Sequence, residues 1–309
     1  VKPFAVYYEH PEWFAPFFTE LETRGIPYEK LDACNFCYDP SISMASNYSL
    51  FINRMSPSAY LRDHGNGIFH TQAVVAHAEM NGVRVVNGSK AYALEISKAK
   101  QMDLLDFLGL GYPKSRVINH ASVTVQAAEG LRYPIVVKAN IGGSGAGIVR
   151  FDSKEALVAA IEANSIDLGL DNTALVQEYI PARNGHITRV ETIGGRFLYA
   201  INIFSSGDSF NLCPADICQL PEPGQTAPKP SLRIEETTPP DAVIKTVEHI
   251  ALAAGLDLGG IELMVDDRDG TVVYYDINAL SNFVGDWKGV LGYNPHVQLV
   301  DHLEKLAGI

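Results

Sequence analysis

The chain has 309 residues, 47% of them hydrophobic, enough to bury one large core or a few smaller ones. Its 36 acidic against 24 basic residues leave a formal charge of -12, which argues against a nucleic-acid partner, because phosphate contacts are made largely by Lys and Arg. No stretch approaches the roughly 18 consecutive apolar residues of a membrane span, and the opening VKPFAVYYEH reads as a strand rather than a targeting segment, so the expectation is a cytoplasmic protein without a membrane partner.

Phe4 to Tyr8 is an apolar run suited to a buried strand. Pro11 to Arg24 reads as a helix that Pro11 can start and Gly25 can stop, and Ile26 to Leu31 resumes an extended pattern. Leu50 to Asn53 is a further strand with Arg54 at its carboxyl end. A helix over Ile68 to Met80 stops at Asn81-Gly82, before a strand over Val83 to Val86. This alternation predicts an open α/β unit over residues 1–90, whose ligand-facing residues lie beyond the strand ends: Glu9, His10, Asn53 and Arg54. Residues 91–112 carry a helix from Ala91 to Leu108. Short strands follow at Ser115 to Ile118, Ile135 to Ala139, Gly147 to Phe151 and Ala174 to Tyr179, with helices at Ser122 to Glu129 and Ser153 to Ala163. They form an α+β unit over residues 113–180. The remainder, 181–309, has strands at Thr188 to Ile193 and Arg196 to Phe204, a Pro-rich loop over Leu220 to Pro230, and a helix over Pro240 to Ala254. A hairpin of Gly259 to Asp266 with Thr271 to Ile277 turns at Asp269-Gly270, and Asn294 to Leu306 is a closing helix.

Three segments carry candidate chemistry. Pro134-Ile-Val-Val-Lys138 ends in a lysine and runs into Gly142, Gly143, Ser144, Gly145 and Gly147. Such glycines let backbone N–H groups approach phosphate oxygens, with Lys138 as a point charge, although a glycine-rich surface hairpin has the same texture. No Gly-Lys-Ser/Thr closes the loop and a strand follows it, so it is neither a Walker loop nor a Rossmann fingerprint. In the hairpin, Glu262 interrupts an apolar strand while Asp276 and Asn278 share one side of its partner. Buried acids are expensive unless compensated; the alternatives are a magnesium site and a polar sheet face paired with Lys or Arg. Gln177, Glu178, Tyr179 and Ile180 end a strand whose backbone could read an adenine edge. Cys34 and Cys37 have CxxC spacing, but Cys213 and Cys218 do not, and all four read as reduced thiols.

Taken in order, these motifs resemble the ATP-grasp superfamily, especially the carboxylate-amine ligases of the ribosomal protein S6 glutamate-ligase type, over roughly Phe51 to Asn282. The resemblance implies a three-domain ATP-grasp architecture, α/β and α+β, with the 1–90 unit on the substrate side, a central lid over 113–180 and a metal-bearing domain over 181–309. It implies ATP and Mg2+, with Mn2+ as an alternative, bound by Lys100 (Lys98 being the other register), Lys138, the glycine loop and Gln177 to Ile180, with metal ligands Glu262, Asp276 and Asn278. It also implies catalytic roles for Arg189, Lys138 and a substrate-facing Arg54. The implied reaction joins a small-molecule carboxylate to an amine, both amino-acid-like, through an acyl phosphate, and the class is compatible with a homodimer. The chain departs from the pattern at Ile187, at Leu280-Ser281-Asn282, and at Gly207 to Leu212, where an arginine is missing beside Asn211. These departures keep two other readings open, a small-molecule kinase and a catalytically impaired nucleotide-binding scaffold.

Overall fold

The computed structural model describes all residues except 1, 11, 144 and 205–231. Ser144, Asn211, Cys213, Cys218, the 207–212 segment and the Pro-rich 220–230 segment therefore lie outside the described residues, as does Pro11. The first sheet contains β1 (Phe4–Tyr8), β2 (Tyr28–Asp32), β3 (Leu50–Arg54) and β4 (Arg84–Val86), all parallel in the order β2-β1-β3-β4. The second contains β5 (Ser115–Ile118), β6 (Ile135–Ala139), β7 (Ile148–Phe151) and β8 (Ala174–Glu178), antiparallel in the order β5-β8-β6-β7. The third contains β9 (His186–Ile193), β10 (Arg196–Phe204), β11 (Arg233–Thr237), β12 (Leu258–Val265) and β13 (Val272–Asn278), antiparallel in the order β11-β10-β9-β12-β13.

Strand β1 is apolar throughout because both of its faces are covered. Phe4 and Val6 enter a core shared with Ile201 and Leu258 of the third sheet, while Ala5 and Tyr7 face Val74 and Val75 on the opposite side. The helices, in chain order, are α1 (Ala15–Thr23), α2 (Gly65–Met80), α3 (Ser89–Glu95), α4 (Lys98–Phe107), α5 (Thr124–Ala127), α6 (Lys154–Glu162), α7 (Asp241–Ala254), α8 (Trp287–Val290) and α9 (Pro295–Ala307). Apolar faces of α4 and α7 meet the third sheet through Leu105, Val247 and Ile250.

Two helix expectations are corrected. The first helix begins at Ala15, so Pro16 falls in its opening turn, where a missing N–H costs nothing; a start at Pro11 would have put Pro16 where that N–H is needed. The helix expected over Ala91 to Leu108 is two helices, α3 and α4, broken at Ile96-Ser97. Ser97 Oγ accepts from the Lys100 N–H, while Asn140 accepts the Lys98 N–H on its carbonyl and the Ala99 N–H on its side chain. These partners satisfy the exposed donors of α4 and make the break affordable in hydrogen bonds.

Asn87 ties the first sheet to the third. It adopts a left-handed φ of 52° and is 1% exposed. Its amide donates to the carbonyls of Leu258 and Ala279 and accepts from the Asp257 and Leu258 N–H groups. Substituting Asn87→Ala leaves these groups unpaired in the interior and is expected to cost about 3 kcal/mol or more, read as a lower urea midpoint.

His296, at the start of α9, packs edge-on against Phe283 at 5.2 Å. Burial, reinforced by Arg54, pushes its imidazole down from 6.5 to about 4. The folded state thus binds fewer protons than the unfolded state between those values. The stability contribution is present above pH 6.5 and is lost as pH falls toward about 4. Denaturation curves across that window should lose roughly 3 kcal/mol from this group, a loss absent in His296→Gln.

Candidate active site

A cavity of about 440 Å³ opens where the three sheets face one another. Its wall includes Lys138 from the end of β6, glycines 142, 143 and 145, Gln177 to Ile180 at and beyond the end of β8, and Arg189 of β9. Glu262, Asp276 and Asn278 complete that wall from the hairpin. Residues distant in sequence thus meet in one space, including every described member of the expected nucleotide and metal sets except Lys100.

The α3-α4 break places the two candidate lysines differently. Lys98 lines the cavity and its Nζ lies 2.7 Å from Asp276 Oδ1; Lys100 is exposed on α4 and outside the wall. Of the two registers, Lys98 is the one positioned at the cavity. Arg54 also differs from expectation. It is 3% exposed, lies behind the cavity wall rather than in it, stacks at 5.0 Å over Phe14, and donates to the Ser281 carbonyl and to Asn282 Oδ1 at 3.3 Å. Because guanidinium can only donate, it turns the Asn282 oxygen inward, and Asn282 is what reaches the cavity.

Antiparallel register explains the acidic cluster. Glu262 is the cross-strand partner of both Asp276 on β13 and Arg189 on β9, and Gly260 that of Asn278 and Glu191. Arg189 donates through Nε to Glu191 Oε1 at 2.6 Å, through Nη1 to Glu262 Oε1 at 2.9 Å and through Nη2 to Ser281 Oγ at 3.4 Å. A Cβ at position 260 would lie 2.5 Å from Arg189 Nη2, so only glycine lets the guanidinium lie across β12. Glu262 Oε2 accepts from Tyr275 at 2.7 Å. Burial raises the Glu262 carboxyl against the pull of Arg189; for Asp276 burial opposes ionisation, but Lys98 outweighs it and the carboxyl is lowered.

The donor set fits a magnesium ion. Oxygens are the hard ligands it prefers, and no described residue hydrogen-bonds to Asp276 Oδ2 or Asn278 Oδ1. Lys138 is 5% exposed; burial first, and the charge of Lys98 second, push its ammonium down to about 7, against Asp276 and Glu262. The glycine loop turns through left-handed conformations at Gly145 and Gly147, with φ of 72° and 71°. Glu178 Oε1 accepts the Arg132 N–H, Arg150 stacks on Tyr179 at 4.6 Å, and no described residue accepts the Ile180 N–H. That donor is available to an adenine edge.

Elsewhere, Glu9, Cys34 and His64 place potential ligand atoms within 4.8 Å of one another. Both Glu9 oxygens are engaged, by Arg62 at 2.6 and 2.8 Å and by His64 at 2.8 Å, and burial pushes the Cys34 thiol up to about 11. Of the other histidines at the substrate side, His10 stacks on Trp13 and His186 lines the cavity. Sequence reading missed Trp13, Glu95 and Glu191. Glu95 carried the same signal as Glu262, an acid on an apolar face.

The chain is similar to known proteins over most of its length. Residues 96–213 match the model of the RimK-like ATP-grasp domain. A probable alpha-L-glutamate ligase of Aliivibrio fischeri (strain MJ11) is 27% identical over 93% of this chain and 89% of its own length. Among solved structures, the ATP-grasp ligase PsnB in complex with a minimal precursor superposes with a TM-score of 0.70 at 19% identity, covering 99% of this chain and 100% of that one. D-alanine–D-alanine ligase from Bacillus anthracis does so with 0.68 at 15% identity, covering 99% and 97%. The fold is the ATP-grasp fold, and the matched segment is similar to the RimK-like ATP-grasp domain. The chain resembles the ribosomal protein S6 glutamate-ligase type and is an ATP-dependent carboxylate-amine ligase, a class that uses ATP and Mg2+. No helix among the described residues is long and apolar enough to cross a membrane.

The lysine assignment is directly testable. Lys98→Met should weaken nucleotide binding by about tenfold or more in a calorimetric titration, whereas Lys100→Met should stay within about twofold; the reverse pattern would restore the other register.

Proposed function

We propose that Lys98, Lys138, Arg189 and the glycine loop hold the phosphates of ATP, and that Glu262, Asp276 and Asn278 hold the divalent ion. The observation that carries this reading is the juxtaposition, in one cavity, of Lys138 and Lys98 with the cross-strand pair Glu262 and Asp276. A bound Mg2+ would supply Lewis-acid charge to phosphate oxygens, and Mn2+ shares the same oxygen preference. Residues 1–90 serve as the substrate-side domain, 91–112 as a connector, 113–180 as the lid and 181–309 as the metal-bearing domain. The separate hydrophobic cluster around the second sheet supports a lid that moves as a unit.

The reaction is transfer of the γ-phosphoryl group to a substrate carboxylate, followed by attack of an amine on the acyl phosphate with release of phosphate. Lys138 and Arg189 offset charge that develops on the transferred group and the carbonyl. Gly143 approaches the first sheet so closely that a Cβ there would lie 3.1 Å from Ser58 Cβ, which supports a glycine loop that closes over the reactants and excludes water. The relatives' names include glutamate and peptide-precursor ligation, and the polar wall from Ser56, Ser58 and Asn282 suits amino-acid-like substrates. Dependence on ATP supports the cytoplasm as the place of work.

Incubation with ATP, Mg2+, pooled amino acids and hydroxylamine is expected to yield ADP and a hydroxamate. A stable phosphorylated product in their place would identify a kinase, and nucleotide binding without turnover a scaffold. Asp276→Asn should reduce ADP formation by about a hundredfold or more while the thermal midpoint stays near that of the parent.

A further inference from the structure

The acidic groups of the cavity differ in what neutralises them. Asp276 meets Lys98, and Glu262 meets Arg189. Glu178, on the strand next to the expected adenine edge, rests on a backbone N–H. Glu95 lies elsewhere, at the end of α3, where the first sheet meets the chain leaving β13. It is 7% exposed and forms no ion pair among the described residues.

Its two oxygens have different surroundings. Oε2 accepts the N–H groups of Ala279 and Leu280, the latter at 3.2 Å, which fixes the carboxylate against the segment that follows Asn278. No described residue donates to Oε1, although Glu95 belongs to the cavity wall. A carboxylate at a helix C-terminus is also opposed by the helix dipole. Desolvation and dipole thus both act against this acid, and the helix alone gives no reason for it.

We infer that Glu95 is the ammonium-binding residue of the amine-bearing substrate, an assignment that rests on the ligase reading above. The carboxylate substrate and the γ-phosphate are both anionic and belong with Lys98, Lys138 and Arg189; the same charge logic keeps them from Glu95 and brings a cation to it. The same cavity wall carries Ser58 and Asn282, polar groups that suit an amino acid rather than an alkylamine. Before attack, the ammonium R–NH3+ loses one proton to the Glu95 carboxylate. The amine lone pair then forms the C–N bond as the acyl carbon–oxygen bond to phosphate breaks; inorganic phosphate leaves with that electron pair and takes up the second proton that the nitrogen releases.

Glu95→Gln keeps the shape and an acceptor for the two backbone N–H groups but removes the charge. The test compares ligation of an amino-acid amine from the competent pool with hydroxylamine, a nucleophile that is already uncharged at neutral pH. The expected result is a fall of about tenfold or more in the ratio of kcat/KM for the amine to that for hydroxylamine, carried mainly by KM for the amine, with KM for ATP within about twofold. An unchanged ratio, whether both rates persist or both fall together, would overturn the assignment and leave Glu95 a support for residues 279 and 280. If the parent protein makes neither ADP nor hydroxamate with any member of the pool, it is the ligase reading that fails, and this assignment falls with it.

Discussion

Arg189 sits on the middle strand of the hairpin face with its guanidinium wedged between Glu191 and Glu262, and the remainder of the site is arranged around that buried charge. In a low-dielectric setting, the guanidinium could not be buried without these two carboxylates beside it. The pairing requires glycine at 260, aligns Glu262 with Asp276 across the next ladder, and leaves Asp276 to meet Lys98. Alternating charge across neighbouring strands and α4 is what lets a cavity this polar persist in a folded protein. The same arrangement gives the cavity a cationic side and an oxygen-rich side, on which the proposed phosphate and metal contacts rest.

A second constraint operates through the segment from Ala279 to Val284, which leaves β13 and is held by Glu95, Arg54 and Arg189. Asn87 holds the Ala279 carbonyl, Glu95 holds the next two N–H groups, Arg54 and Arg189 take the carbonyl and hydroxyl of Ser281, and Tyr199 accepts the Val284 N–H. Phe283 is held at a φ of 58°, a conformation uncommon for a residue with a ring. The segment where the sequence departs from the familiar pattern is thus tied to both the first and third sheets. It is through this segment that the substrate side and the metal side share their geometry.

The strands were legible because each carries a local signal: apolar runs for β1 and β6, a turn at Asp269-Gly270 for the β12-β13 hairpin. Glu262 with Asp276 and Asn278 could be read for the same reason, since an acid in an apolar strand stands out and alternation fixes which residues share a face. What could not be read depends on partners far along the chain. The break between α3 and α4 needs Asn140 to receive the donors of Lys98 and Ala99, so helical periodicity alone ran through it and could not show that Lys98, rather than Lys100, faces the cavity. Arg54 looked substrate-facing at a strand end, yet Ser281 and Asn282 cover it. Glu191 is invisible to pattern reading because its partner, Arg189, lies on the same strand and only the buried face shows why both are there.

The central claim is that a carboxylate oxygen attacks the γ-phosphorus and later departs with phosphate. Ligation of a substrate whose carboxylate is labelled with oxygen-18 tests this most directly, by mass analysis of the phosphate released. The account predicts that one labelled oxygen is transferred from the carboxylate to each inorganic phosphate formed during ligation. Amide product accompanied by unlabelled phosphate would contradict it.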